Sequence, residues 1–173
     1  MRETLIVREA KPSDYPAIAD FTVAAYRTID PDLGRYEARI RDVIGRAGVA
    51  TILAAVSGDR IVGSATLVTD PSSPLAESAE AGDAAIRMLA VDPTAMGQGV
   101  GTALVQRCIE LARDAGRLRM VLRTRTQMTA AHQLYRRFGF ERLPELDERV
   151  PGAELHGYAL VIGNMTELVT YRS

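Results

Sequence analysis

The chain of 173 residues, with 47% hydrophobic and 25% charged residues, suits one soluble globular domain that occupies residues 1–173. Its formal net charge of −1 gives no support to a nucleic-acid or anionic-membrane partner, and no apolar run or leader pattern predicts a membrane span or a signal peptide. Cys108 is the only cysteine, which excludes an internal disulfide framework and favours a reducing cytoplasm.

Two helices are predicted after a short first strand at Thr4–Arg8, which alternates apolar and polar residues. Ser13 or Asp14 is placed to cap the first helix, whose apolar face fades before Asp30. The second helix is expected over Leu33–Ala47, because apolar residues recur there along one stripe.

A β-hairpin is predicted next. The apolar, β-branched runs Val49–Ser57 and Ile61–Thr69 are separated by Gly58-Asp59-Arg60, which is typical of a short turn. The following stretch, Asp70–Asp83, is rich in Pro, Ser, Ala and acidic residues and shows no periodicity. It is expected to be an exposed connection.

The most informative stretch of the chain begins with a buried strand at Ile86–Val91. Asp92-Pro93 ends this strand, because proline cannot donate to a β-ladder and restricts the residue before it. An amphipathic helix follows, and Gly116 is placed to end it. The apolar stripe predicted for this helix consists of Val100, Leu104, Cys108, Leu111 and Ala115.

Three glycines alternate between the strand and this helix, at Gly97, Gly99 and Gly101. Bare backbone N–H groups therefore meet the positive end of the helix dipole, which predicts phosphate recognition. The spacing is neither that of a P-loop nor that of the Gly-x-Gly-x-x-Gly dinucleotide fingerprint. A glycine-rich turn that binds nothing is the alternative.

The rest of the chain continues the alternation of strands and helices. A strand at Arg119–Thr124 is parallel to the preceding strand if the helix between them makes a right-handed crossover. Apolar spacing predicts a helix at Thr129–Arg137 that ends at Gly139. The predicted order is β-α-α-β-β-β-α-β-α-β-β, an α/β fold with a mixed sheet and helices on both faces. The last segments are a strand from Phe140 to Leu143, a loop at Pro144–Gly157, a strand at Tyr158–Ile162 and a tail, Gly163–Ser173, without a clear pattern.

Two motifs resemble those of the GNAT-type N-acetyltransferases. Leu89-Ala90-Val91-Asp92-Pro93 and the loop Met96-Gly97-Gln98-Gly99-Val100-Gly101 are similar to the family's strand Leu-x-Val-x-Pro and its pyrophosphate loop Arg/Gln-x-x-Gly-x-Gly/Ala. Further on, Ala131–Phe140 is similar to the family's helix Ala-x-x-Leu-Tyr-x-Lys/Arg-x-Gly-Phe. The element order is also that of the GNAT fold. The sequence departs from the family at Met96, in place of Arg or Gln, and at Met128, where many members have an asparagine.

The resemblance implies a GNAT-like acyl-CoA N-acyltransferase fold and transfer of an acetyl group from acetyl-CoA directly to a primary amine of a small molecule or peptide. Tyr135 is implied as the catalytic acid that protonates the departing thiolate. Arg137 is implied as a contact of the coenzyme A phosphates. The other implied cofactor contacts are Leu89, Ala90 and Val91 at the pantetheine and Gly97, Gln98, Gly99, Val100, Gly101 and Thr102 at the pyrophosphate.

Several roles stay open. Tyr135 can also be a core aromatic residue, and a non-catalytic acyl-CoA-binding sensor on the same fold is the alternative function. No general base is evident. Glu80 and Asp83 lie just before the central strand, but each is expected to be a solvated loop charge, and His132 is expected to face solvent or the edge of the cofactor. Two histidines and one cysteine without paired spacing predict no metal site.

Charge is uneven along the chain. Arginines crowd residues 113–142, whereas acidic residues occupy the loops at 70–83 and 144–157. Some of these arginines are expected to meet coenzyme A phosphates, and the acidic loops to attract a cationic amine. An RNA-binding patch is disfavoured, because no aromatic residues interleave with the arginines. The identity of the amine stays open, and a homodimer is compatible with the pattern.

Overall fold

The computed structural model describes residues 3–77 and 79–164, which form a mixed α/β fold. The strands are β1 (Leu5–Glu9), β2 (Thr51–Ser57), β3 (Arg60–Val68), β4 (Asp83–Val91), β5 (Arg119–Arg125), β6 (Glu141–Arg142), β7 (Glu148–Val150) and β8 (Ala153–Val161). The helices are α1 (Tyr15–Arg27), α2 (Tyr36–Arg41), α3 (Val43–Ala47), α4 (Val100–Asp114) and α5 (Thr129–Arg137).

These eight strands form one sheet in the order β1-β2-β3-β4-β5-β8-β6, and β7 also pairs with β8. The pairing of β4 with β5 is parallel, whereas β1 with β2, β2 with β3 and β5 with β8 are antiparallel, so the predicted mixed sheet is confirmed. Across the described residues, none of the helices combines the length and the apolar character that a membrane span needs.

The chain forms two compact units, and β3, β4 and α4 contribute to both. The first unit comprises Met1–Leu67 and Met88–Cys108, and the second comprises Val68–Arg87 and Ile109–Ser173. The assignment of residues 1–173 to a single domain stays a prediction.

Both faces of the sheet are covered in the first unit. On one face, Val43 of α3 and Ile18 of α1 are buried in a cluster with Ile52 of β2 and Ala90 of β4. On the other face, a Cβ built on Gly63 of β3 would lie only 2.5 Å from Val100 Cγ1 of α4, so glycine is required there for close packing.

The predicted hairpin is confirmed. In β2 and β3, Ser57 pairs with Arg60, so the turn consists of two residues, Gly58 and Asp59. Gly58 has a φ of 57°, which suits the hairpin turn that matches the twist of its strands.

The single helix predicted over 33–47 is wrong, because Asp42 divides it into α2 and α3. Asp42 has a ψ of 62°, and its side chain accepts a hydrogen bond from the Gly45 N–H at 2.9 Å. This local bond competes with the continuation of the helix, as aspartate commonly does.

The predicted cap of the first helix is confirmed in position but not in its bond, because Asp14 is the residue directly before α1 and its side chain makes no cap hydrogen bond there. Neither Ser13 nor Asp14 donates or accepts a cap bond at α1, which begins after a short 3-10 turn at Pro12–Asp14. The Asp14 carboxylate instead accepts a hydrogen bond from the Lys11 N–H at 2.7 Å and forms an ion pair with Arg8 at 2.6 Å.

The helix α4 lies between the glycine loop and Gly116, as predicted, and ends in a left-handed turn. Gly116 has a φ of 72°, and the following N–H, of Arg117, donates to Ala112 O at 2.9 Å, which satisfies a terminal carbonyl. The predicted stripe is wrong at its end, because Leu111 is half-buried and Ala115 is exposed. Val105, Ile109 and Ala112 are buried in their place.

The loop predicted at Pro144–Gly157 is wrong in part. It contains β7 and the start of β8, joined by a turn in which Gly152 has a φ of 79°. These strands carry charged residues on the sheet edge, which hides the period of two that reveals a strand. The predicted order therefore lacked one helix and one strand. Residues 165–173 of the predicted tail lie outside the described residues.

Candidate active site

The central strand β4 changes its backbone conformation part-way along its length. Its registered pairs with β5 run from Asp83↔Arg119 to Ile86↔Leu122, whereas the strand itself continues to Val91. Met88 has a φ of 46°, a left-handed conformation that a non-glycine residue rarely adopts. No residue type in the sequence signals this feature. Leu89, Ala90 and Val91, the predicted pantetheine contacts, follow directly after it.

The end of β4 is held by Asp92. Its backbone N–H donates to Val62 O of β3 at 2.8 Å, which continues the sheet by one more bond. Its side chain accepts from the Thr94 N–H at 2.9 Å and caps a 3-10 turn at Pro93–Ala95. Arg60 contacts the same carboxylate at 3.3 Å. The chain therefore enters the glycine loop from a fixed direction.

The glycine loop adopts the backbone conformation that glycine permits. Gly97 and Gly99 have φ values of 76° and 80°, and a Cβ built on either would meet nothing within 4 Å. The two glycines are therefore needed for their dihedral angles and not for close packing. Residues 96–99, Gln98 among them, are exposed, so the predicted anion site is open to solvent.

The helix α4 begins immediately after this loop. Gly99 O accepts the first helical bond, from the Ala103 N–H at 3.0 Å. The N–H groups of the first helical turn have no partner within a helix, and the helix dipole adds positive potential there. Thr102 is exposed, whereas Val100 is buried against β3, so only the backbone of Val100 can contact a ligand.

The second predicted motif forms α5, with the predicted bounds. Tyr135 is 5% exposed, and its ring lies 5.5 Å from the ring of Phe140. Gly139 has a φ of 90° and reverses the chain, and the Phe140 N–H donates to Tyr135 O at 3.1 Å. Arg137, the predicted phosphate contact, is exposed.

His132 anchors α5 to the sheet, which the sequence did not indicate. Its Nε2 lies 2.9 Å from Arg125 O, and its Nδ1 lies 3.0 Å from the Tyr158 hydroxyl. A carbonyl can only accept, so Nε2 donates to it, and in the neutral ring Nδ1 then accepts from Tyr158. The ring therefore bridges β5 and β8, a role that was not predicted. His132 is half-buried, and its position at the cofactor edge stays a prediction.

Asp83 is not a solvated loop charge, as expected from the sequence, but a buried residue of β4. Its carboxylate accepts two hydrogen bonds of 2.8 Å from Arg119, and the two side chains are 3% and 7% exposed. The buried Asp83 carboxylate therefore links β4 to β5 through its ion pair with Arg119. Glu80, whose side chain is 61% exposed, matches the expectation.

Ion pairs within the second unit occupy several arginines of the basic region. Arg123 contacts Glu77 and Glu148 at 3.2 and 2.8 Å and donates to Leu146 O. Arg142 pairs with Asp147 at 2.7 Å. Arg137, in contrast, forms no ion pair with any described residue.

Among residues 3–77 and 79–164, no group of three or more His, Cys, Asp or Glu side chains is arranged to hold a metal ion.

Comparison with known proteins identifies the architecture. Residues 15–140 match the sequence model of the acetyltransferase (GNAT) family, a range that contains both the glycine loop and α5. The chain belongs to the GNAT acetyltransferase family. No curated protein matches it.

Solved GNAT proteins share this fold at low sequence identity. A GNAT-family acetyltransferase from Staphylococcus aureus Mu50 has a TM-score of 0.73 at 15% identity, with 92% of this chain and 99% of that chain covered. The Salmonella typhimurium protein yncA, solved with its cofactor acetyl-CoA, has a TM-score of 0.67 at 19% identity, with 93% and 95% covered. The ribosomal-protein-alanine N-acetyltransferase of Brucella melitensis has a TM-score of 0.67 at 21% identity, with 90% and 99% covered.

Proposed function

We propose that this GNAT protein transfers an acetyl group from acetyl-CoA directly to a primary amine of a small molecule or peptide. The observation that carries the proposal is the open loop with left-handed Gly97 and Gly99 at the start of α4. Such a loop suits a diphosphate, because amide N–H groups and the helix dipole both favour negative charge.

The pantetheine arm of the cofactor is proposed to lie along the second half of β4. The backbone groups of Leu89, Ala90 and Val91 are the proposed partners of its amides, in the manner of a short strand added to a sheet. Since the diphosphate lies at the loop after Val91, the arm runs from Val91 towards Leu89. The thioester then lies next to Met88.

The chemical step is proposed to be direct attack of the neutral amine on the thioester carbonyl. The amine first loses its proton to water, and its nitrogen then attacks the thioester carbonyl. The tetrahedral intermediate loses a second nitrogen proton to water and expels the coenzyme A thiolate. The Tyr135 hydroxyl gives its proton to that sulfur and regains one from water. An acyl-enzyme is not proposed, because Cys108 is fully buried and burial raises the pKa of its thiol to about 12.

Arg137 is proposed to meet a coenzyme A phosphate. Its side chain is exposed and no ion pair within the described residues occupies it, so its guanidinium can reach a ligand. Met96, at the family's Arg or Gln position, offers no such contact, and 56% of it is exposed. The phosphate contacts are therefore proposed to come mainly from the backbone. A cytoplasmic location is part of the same proposal.

The proposal is tested by thiol release from acetyl-CoA with a panel of primary amines, alongside calorimetric titration with coenzyme A. Amine-dependent release together with binding supports the proposal. Tight binding without turnover on any amine would favour the acyl-CoA sensor instead. Absence of binding would contradict both.

A further inference from the structure

Arg46 of α3 is a buried guanidinium held by neutral oxygens. The residue is 6% exposed, its Nη1 donates to Arg39 O and Ile40 O at 2.7 Å each, and its Nε donates to Thr66 Oγ1 at 3.3 Å. These three acceptors are two main-chain carbonyls and a hydroxyl, so none of them carries the negative charge that would neutralise a buried cation.

No carboxylate of the described residues lies within 4.0 Å of this guanidinium, and its Nη2 has no hydrogen-bond acceptor among them. Burial removes water from the Arg46 guanidinium and so lowers its pKa, and Tyr36, Asp42 and Tyr26 oppose this shift by electrostatic interaction. Nη2 is not among the fully buried unpaired polar atoms of the described residues, so it keeps access to solvent. A buried charge in this state favours an anion beside it.

Arg46 also lies close to Met88 of β4, the residue next to which the thioester is proposed to lie. The Asp92 N–H donates to Val62 O, and a Cβ on Gly63 would lie 3.3 Å from Ala90 O, so β3 and β4 run in opposite directions. Continuing this register places Thr66, the partner of Arg46, level with Met88. Met88 is where the thioester is proposed to lie.

A second buried polar atom lies on the same side. Thr22 of α1 is 1% exposed, and its Oγ1 has no hydrogen-bond partner. Thr22 lies one turn before Tyr26 on the same face of α1, and the hydroxyl end of Tyr26 interacts electrostatically with Arg46. A buried hydroxyl without a partner calls for an explanation, and a ligand oxygen supplies one.

We propose that the Arg46 guanidinium binds a carboxylate of the acceptor, so that the substrate class is amines that carry a carboxylate near the amino group, as α-amino acids do. This inference rests on the proposed function, which sets the position of the acetyl group. Nη2 supplies the two unused N–H donors of the guanidinium, and a charge-assisted bond to a carboxylate compensates its buried charge.

The first test compares acetylation of L-α-amino acids with that of their primary carboxamides. A carboxamide also changes the basicity of the amine, so the ratio for one protein is not informative by itself. The measured quantity is therefore the acid-to-amide ratio of kcat/KM in the variant, divided by the same ratio in the wild-type protein. Arg46→Gln is expected to lower the acid-to-amide ratio by about 10- to 100-fold, mainly through KM. Arg39→Gln is the matched control, since the exposed side chain changes while the carbonyl that accepts from Arg46 stays. An unchanged ratio in folded Arg46→Gln would overturn the inference.

A second test needs no turnover. Calorimetry with the coenzyme A complex is expected to show binding of L-α-amino acids at least about 10-fold tighter than binding of their carboxamides. Thr22→Val is expected to weaken the binding of acids and amides alike, because both ligands offer an oxygen to the hydroxyl. Equal binding of acids and amides by the wild-type protein would overturn the inference even where Arg46→Gln does not fold. Carboxylate-selective binding without acetyl transfer would instead contradict the proposed function and leave the carboxylate site standing.

Discussion

Asp83 and Arg119 are the first registered pair of the parallel ladder between β4 and β5, and their side chains also form a bidentate ion pair with two bonds of 2.8 Å. The backbone pairing and the charge pairing therefore secure the same point of the sheet. Glu80 also lies 3.5 Å from Arg119, and its N–H donates to the Asp83 carboxylate at 2.9 Å. The connection before β4 is thus tied to the strand that it enters.

Replacing Asp83 by asparagine is expected to lower the free energy of unfolding by about 3–5 kcal/mol, because Arg119 would lose its buried, bidentate carboxylate and keep only the exposed Glu80 at 3.5 Å. Urea denaturation measures the change. Asp20→Asn is the matched control, since the Asp20–Arg41 pair is exposed at the surface. Its effect is expected to stay below about 1 kcal/mol. Equal effects of the two substitutions would show that the buried pair has no special role.

Gly99→Ala is expected to weaken acetyl-CoA binding. A φ of 80° strains any residue with a Cβ, so the substitution shifts the backbone amides of the loop. Gly34→Ala is the control, because Gly34 also has a positive φ, of 52°, and open space around it. Both variants are expected to lose about 1–2 kcal/mol of stability, and only Gly99→Ala is expected to lose affinity in calorimetry. Unchanged affinity of Gly99→Ala would count against the diphosphate site.

Tyr135→Phe is expected to lower kcat by roughly 10²–10⁴-fold, because the variant has no phenol proton for the departing thiolate. The dissociation constant of acetyl-CoA is expected to change little, since the ring and its contact with Phe140 stay. Steady-state kinetics and calorimetry provide the two measurements, and Tyr15→Phe on α1 serves as the control. Full turnover in the Tyr135 variant would remove this residue from the mechanism.

Cys108 is expected to be inert towards thiol reagents in the folded protein. With its pKa raised to about 12 by burial, only about one thiol in ten thousand is ionised at pH 8. Labelling is therefore expected only after denaturation, and Cys108→Ala is expected to keep acetyl transfer. Rapid labelling of the native protein, or loss of turnover in the alanine variant, would contradict direct transfer without an acyl-enzyme.

Asp147 is expected to contribute to stability in a pH-dependent way. Hydrogen bonds from Arg142, and then from the Gly157 N–H, hold its pKa well below the ordinary value of 3.8. A pKa that is lower in the folded than in the unfolded state gives stability that is complete above the unfolded value and is lost as the pH falls. Urea midpoints measured between about pH 6 and pH 2 are expected to fall less steeply in Asp147→Asn. If the urea midpoints of the two proteins fell equally steeply towards low pH, this contribution of Asp147 would be refuted.

The sequence predicted best where one local signal dominates. The helix at Thr129–Arg137 has a regular apolar spacing and a terminal glycine, and its bounds are confirmed. The glycine loop was recognisable because only glycine adopts its φ values freely. In contrast, the break at Asp42 depends on one side-chain bond, and helical periodicity alone favoured continuation. The strand β7 was missed because its charged residues resemble those of a loop.

Residues with side-chain roles set by distant partners were the hardest to predict. Asp83, His132 and Arg46 were not identified correctly or were not singled out. The ion-pair partner of Asp83, Arg119, lies 36 residues further along the chain, and Thr66, the partner of Arg46, lies 20 residues further along. Sequence spacing does not report such contacts. The positive φ of Met88 likewise has no residue-type signal.

The sequence by itself determined the order of most elements, the glycine loop and the family motifs, because each of these depends on the periodicity or backbone freedom of neighbouring residues. Only the tertiary structure decided which charged groups are buried and what compensates them. Burial and pairing are properties of the folded sheet: they pair Asp83 with Arg119 and leave Arg46 with neutral oxygens, although all three are ordinary charged residues in the sequence.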